Sequence, residues 1–226
     1  MTNSGGGYSK GSCNQWSVVG GLADTMKNQM FRSALLLVVI GFPAIASAGE
    51  TIPQDGIWSK VGIGAASTAY AASVTSGDVN GEFAITGGSP ELRAAIGTVI
   101  GPGNVLHASL GFNRLAEPEV KVTVAGTEST GTSTATLSLL SACAGFTHYF
   151  GDLSITARGG YASQSDDEGG EDATGWISGA GLDDDFSSSE SSRFGIGLNM
   201  DIAELDTEIG SIGYASFGLF LNGTFY

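Results

Sequence analysis

Apolar residues recur at every second position along most of this chain, in stretches of about ten residues. Clusters of Gly, Asn, Asp and Ser separate the stretches. Arg193 to Ile202 is the plainest case. Phe194, Ile196, Leu198, Met200 and Ile202 alternate there with Arg193, Gly195, Gly197, Asn199 and Asp201. Successive side chains of an extended strand point to opposite faces of a sheet, so the two sets part completely. A helix needs apolar positions every three to four residues, and such spacing is scarce here. The chain is therefore expected to be all-β.

Eight strands are expected. The first covers about 57–71, with Ile57, Val61, Ile63 and Ala65 on one face and Lys60, Gly62 and Gly64 on the other. The second covers about 81–100, interrupted near Gly87-Gly88-Ser89-Pro90, and Gly101-Pro102-Gly103-Asn104 reads as a tight turn. The third, 105–114, sets Leu106, Ala108, Leu110 and Phe112 against His107, Ser109, Gly111 and Asn113. Residues 115–132 form a longer connection, with Val120 to Val124 as a strand extension. The fourth strand covers about 133–150, and Gly151-Asp152 is a hairpin signal. The fifth runs over 153–162 and the sixth over 174–182. Asp183 to Ser192 reads as a polar turn. The seventh is 193–202 and the eighth 212–226.

Period two alone does not say which face meets a core. A soluble barrel buries its apolar face, and a membrane barrel turns that face to lipid. Three features favour the second arrangement. The strands are long enough to cross a bilayer at a tilt. The polar faces combine single charges with many glycines, of which the chain has 36 in 226 residues. Such a face suits an eight-stranded interior, where few large side chains fit. The chain also stops on a strand ending in aromatics, Phe225-Tyr226. The expected fold is a closed antiparallel eight-stranded transmembrane β-barrel. Its interior network would be Lys60, Arg93, His107, Arg158, Arg193, Asn199 and Asp201. Gly101–Asn104 and Gly151–Asp152 would be periplasmic turns, with the links at 72–80, 115–132 and 164–173 outside. The turn at 183–192 is long for the periplasmic side.

Met26 opens a targeting pattern. Lys27 and Arg32 are followed by the apolar run Ser33–Ile40, the breakers Gly41 and Pro43, and Ala46-Ser47-Ala48 before Gly49. This is a secretory signal peptide over 26–48, with Ala46, Ala48 and Gly49 marking cleavage. Residues 1–25 read as an extension ahead of the true start or as a disordered segment. The barrel would occupy 49–226, carrying 22 acidic and 6 basic side chains. That balance excludes nucleic acid as a partner, since phosphate binding needs a basic surface. Cys143 is then the only cysteine of the secreted chain, a small apolar filler in a strand.

The signal peptide, the Gly-rich alternating strands and the aromatic final strand resemble the small eight-stranded outer-membrane barrels of the OmpA, OmpX and opacity type. The resemblance spans about 49–226. It implies a C-terminal assembly signal at Phe217, Leu219, Leu221, Phe225 and Tyr226, read by the outer-membrane assembly machinery. It also implies a place in a Gram-negative outer membrane, among lipid and lipopolysaccharide.

Chemistry is sparse. No Walker loop or GxGxxG is present, and Gly62-x-Gly64 and Gly195-x-Gly197 are read as making room inside the barrel. Two histidines and one secreted cysteine make no convincing transition-metal site. No cofactor is expected. The runs Asp166-Asp167-Glu168, Glu171-Asp172 and Asp183-Asp184-Asp185 are expected to be solvated, with weak divalent-cation bridging to lipopolysaccharide as the functional alternative. His107 and Ser109 share a strand face, as a His-x-Ser pair does in outer-membrane lipid A deacylases. A triad also needs a carboxylate to orient the histidine, and Glu117 and Glu119 fall in the connection. The pair is read as interior polar lining. The expected function is thus non-enzymatic, structural in the envelope or surface-binding through acidic loops. The alternatives are a narrow channel, a soluble periplasmic lipid-binding barrel and a lipid A-modifying enzyme. The sequence assigns no oligomeric state.

Overall fold

A computed structural model of the chain describes residues 56–226, apart from 77–78, 168, 170–171, 190 and 208–209. The signal peptide with Ala46, Ala48 and Gly49, and the segment 1–25, lie outside the described residues. Ten strands follow in order: β1 (Ile57–Ser76), β2 (Val79–Gly101), β3 (Asn104–Ala116), β4 (Glu119–Val124), β5 (Thr127–Thr132), β6 (Thr136–Phe150), β7 (Leu153–Asp166), β8 (Ala173–Ser188), β9 (Ser192–Thr207) and β10 (Gly210–Phe225). Eight of them close on themselves. β1 pairs with both β2 and β10, and the ring runs β1-β2-β3-β6-β7-β8-β9-β10, every pair antiparallel.

The register fixes the barrel's geometry. Starting at Ala71, the paired partners are Gly213, Glu204, Trp176, Tyr161, Ala142, Leu110, Ala94 and then Val61, back on β1. The circuit returns ten residues from where it began. With strands about 4.8 Å apart and about 3.3 Å per residue, a stagger of ten over eight strands tilts them by about 40°. The backbone cylinder then has a radius of about 8 Å, so side chains alone can fill it.

The two ends differ. Pro102-Gly103, Gly151-Asp152 and residues 189–191 connect strands at the end that holds Ile57 and Phe225. Gly103 (φ +71°) and Gly151 (φ +72°) adopt the left-handed conformation that such tight turns need. At the other end two hairpins rise beyond the ring. β1 and β2 stay paired up to Ser76 and Val79, whereas β1 leaves β10 at Ala71. β3 kinks at Glu117 (φ +49°) and resumes as β4, which pairs with β2 from Gly81 to Thr86 and carries β5 on its far side. The expected extension at Val120–Val124 is therefore one strand of a raised four-stranded sheet.

Three boundaries differ from the sequence reading. β2 runs unbroken through Gly87–Pro90. It has no second partner between the β4 and β3 registers there, and a residue without an N–H is tolerated in a strand at such a gap. The fourth expected strand, 133–150, begins only at Thr136 as β6, and β5 falls within the expected connection 115–132. The third difference is at β8, which continues to Ser188, so the expected turn at 183–192 shrinks to residues 189–191. The Asp183-Asp184-Asp185 run hid this because both faces of the strand are acidic there. The awkwardly long periplasmic turn disappears with it.

Candidate functional site

The polarity of a soluble protein is inverted here. Val61, Ile63, Leu92, Ile96, Leu106, Leu110, Leu140, Ile196, Leu198 and Leu221 are exposed on the outside of the wall. Trp176, the most exposed at 74%, stands edge-on to Tyr161 with ring centroids 6.2 Å apart. Inside, alternate positions of the same strands hold charge. Lys60, Arg93, His107, Arg158, Arg193, Asn199 and Asp201 all project inward, because each occupies the opposite phase to an outward apolar residue.

The structure brings these residues into contact with one another and with three acids outside the expected interior network, Glu91, Asp183 and Asp185. Arg93 is ion-paired with both Glu91 and Asp201. Arg158 approaches Asp201 at 2.7 Å and donates to Asn199 Oδ1 at 3.0 Å. Lys60 Nζ lies 2.7 Å from Asp183, which also accepts from Asn222 at 2.5 Å and Ser154 at 3.4 Å. Arg193 donates to the Gly151 carbonyl at 2.8 Å and stands 3.6 Å from Asp185. The four interior cations thus face four interior anions, Glu91, Asp183, Asp185 and Asp201. Charges removed from water are tolerated only when paired and hydrogen-bonded in this way. Neutral chains complete the lining. Thr68, Ser89 and Asn113 form one, and His107 Nε2, Thr147 and Thr156 another.

Space for these side chains comes from glycine. A Cβ at Gly179 would strike Asp201 Oδ1 and come within 2.9 Å of Arg158 Nε. One at Gly64 would meet the Phe220 ring at 2.8 Å. Phe220 is an inward aromatic, almost fully buried, with the Arg93 guanidinium over its face at 5.0 Å. Gly62, Gly195 and Gly197 likewise abut Asn222, Asp185 and Asp183.

Apolar clusters close the interior at both ends. Trp58, Val99, Val105, Tyr149 and Tyr226 pack together at the end with the short turns, where Trp58 Nε1 donates to Tyr149 Oη at 3.1 Å. Tyr70, Leu115, Leu137, Leu139, Ile177 and Tyr214 pack at the other end, and Cys143 joins them as a buried free thiol. Between the clusters lies a cavity of about 50 Å³ bordered by Lys60, His107, Arg158 and Asp183. That volume admits a few water molecules.

The remaining sequence candidates are also placed. Phe217, Leu219, Leu221 and Phe225 line the outer wall of β10, while Tyr226 turns into the inner cluster and donates its backbone N–H to Ser191 at 3.1 Å. His107 and Ser109 both face inward. His107 stacks near Trp58 (5.2 Å) and its Nδ1 meets no hydrogen-bond partner, so no carboxylate orients it. Asp183 and Asp185 are not solvated, contrary to expectation, since they are buried against Lys60 and Arg193. Glu168 and Glu171 lie outside the described residues. Asp167 is exposed and accepts the Thr136 backbone N–H at 2.7 Å, and that bond holds its pKa below the usual carboxylate value. Among the described residues no three acidic, histidine or cysteine side chains converge as a metal site.

No protein-family model and no curated protein matches the sequence. Solved structures do resemble the fold. Neisserial surface protein A is 14% identical and covers 76% of this chain and 97% of its own, with a TM-score of 0.46. The outer membrane protein OprG from Pseudomonas aeruginosa is 9% identical, covering 78% and 97%, with a TM-score of 0.43. Ail, the attachment invasion locus protein of Yersinia pestis, is 15% identical, covering 73% and 97%, with a TM-score of 0.41. At these values the likeness bears on neither activity nor partner.

Proposed function

We propose that this chain is a non-enzymatic β-barrel of a Gram-negative outer membrane, sealed along its axis, whose working surface is the acidic outer end. One observation carries the reading: ion pairs fill the inside of the wall while large apolar side chains cover the outside. Only a hydrocarbon solvent makes that inversion favourable. Closure supports it, because an open sheet edge would leave backbone groups unsatisfied in lipid. The two end clusters favour a sealed barrel over a channel. The lone His107, with no carboxylate partner inside a closed interior, favours the non-enzymatic reading.

Envelope fractionation of cells expressing the chain from Met26, with gels of boiled and unboiled samples, tests the placement. The expected result is outer-membrane partition with a heat-dependent mobility shift. Recovery in the soluble periplasm without a shift would overturn it. Planar-bilayer recording of the folded barrel tests the seal, and a quiet trace is expected. Reproducible single-channel steps would replace the sealed barrel with the narrow channel.

A further inference from the structure

The raised sheet above the barrel has a free edge and two unlike faces. β5 (Thr127–Thr132) is exposed at all six residues and pairs with β4 alone among the described residues. The register tells the faces apart. Tyr70, Ile85, Val120 and Gly131 are paired in a row, as are Ala72, Phe83, Val122 and Ser129. Tyr70 is part of the buried interior cluster, so these rows continue the inner wall of the barrel upward. Ile85, Phe83, Val120 and Val122 make that face apolar. The opposite face carries Glu82, Glu119 and Glu128 against one base, Lys121, which is already paired with Glu128 at 2.8 Å. Asp167 accepts the backbone N–H of Thr136, four residues after the end of β5.

We propose that the β5 edge accepts an extended polypeptide of alternating apolar and basic residues from a separate partner. This rests on the reading of the outer end as a working surface. A strand added at β5 completes its unpaired backbone groups, the commonest hazard and use of an open edge. Its alternate side chains then extend the two faces of the sheet. Apolar ones reach across Gly131 and Ser129 towards Val120 and Val122, and basic ones lie beside Glu128. A second copy of this chain does not fit. Its own edge, Thr-Glu-Ser-Thr-Gly-Thr, brings no apolar side chain and sets acid against acid.

The test uses the full chain in nanodiscs, its mobility shift confirmed, and a labelled twelve-residue peptide of alternating Lys and Val. A Glu-Val peptide of the same length is the control. Val124 and Thr127 flank a two-residue turn, which points the Thr130 N–H away from β4 and towards the open edge. Thr130→Pro therefore removes an edge donor while sparing the β4 ladder, and proline is tolerated on an edge strand. By anisotropy the Lys-Val peptide is expected to bind the native chain. Affinity is expected to fall about tenfold with Thr130→Pro, with Glu128→Lys and with the Glu-Val peptide. No binding while the mobility shift is intact overturns the edge proposal alone. Equal binding to Thr130→Pro also overturns it, assigning the peptide to charge or to the β1 edge. Absence of the shift in the native chain instead overturns the barrel reading beneath it.

Discussion

Asp201 takes two guanidinium partners, Arg93 and Arg158, and so holds three strands of the barrel, β2, β7 and β9, to one carboxylate. Asp201→Ala leaves Arg158 buried without its anion and Arg93 with Glu91 alone, which costs about 3–5 kcal/mol. A clear fall in the temperature of the gel mobility transition is the expected readout. Lys60→Met strands Asp183 in the same way, and Lys60→Met combined with Asp183→Leu is expected to be milder than the single change. Asp167 behaves differently because it is exposed. Its carboxyl pKa is depressed in the folded chain by the Thr136 N–H. Its contribution is therefore present above the ordinary carboxylate pKa and lost as pH falls through the folded value. Carboxyl titration by NMR should place it below the solvated acids, and Asp167→Asn should remove that titration. The interior cations were legible in the sequence, since each alternates with outward apolar residues. Glu91 was not, because Gly87–Pro90 beside it reads as a break. Phe220 was not, because an aromatic on the glycine-rich face contradicts the simple polar-inside pattern.

Strands β8 and β3–β6 show where local pattern stops being informative. β8 continues through three consecutive aspartates because Asp183 and Asp185 each find a cation on another strand. Nothing local signals that, and an isolated acidic run is ordinarily a loop. The β4–β5 hairpin is an addition to the ring, as β3 already pairs with β6 up to Ala116 and Thr136. Replacing Glu119–Thr132 with a short Gly-Ser turn is expected to leave the mobility shift intact and to abolish peptide binding at the edge. Loss of the shift would mean that the hairpin is needed for closure. The hairpin's core was visible as Val120–Val124. Its partner strand was not, because Thr-Glu-Ser-Thr-Gly-Thr has no apolar alternation to read.

Over the whole molecule the interior charges cancel, so the chain's net charge of −14 is not carried inside the wall. The outer surface is apolar around its girth and acidic at its raised end. Leu219 sits on that girth at 57% exposure, paired with Ala65 and Leu198. Leu219→Arg is expected to destabilise the barrel by about 2–4 kcal/mol when refolded into bilayers, as a charge on a lipid-facing wall does. A neutral effect, measured by denaturant titration in vesicles, would be the mark of a wall that faces water.

Alternation by itself settled that the described part of the chain is β, which residues share a face, and where Gly103 and Gly151 turn it. These follow from steric rules that act within a few residues. Which acid meets which cation, how far β8 extends, and the stagger of ten that sets tilt and radius were decided only by closure. Each depends on pairing between strands distant in sequence, and the interior is stable only when all eight meet and every buried charge finds its opposite.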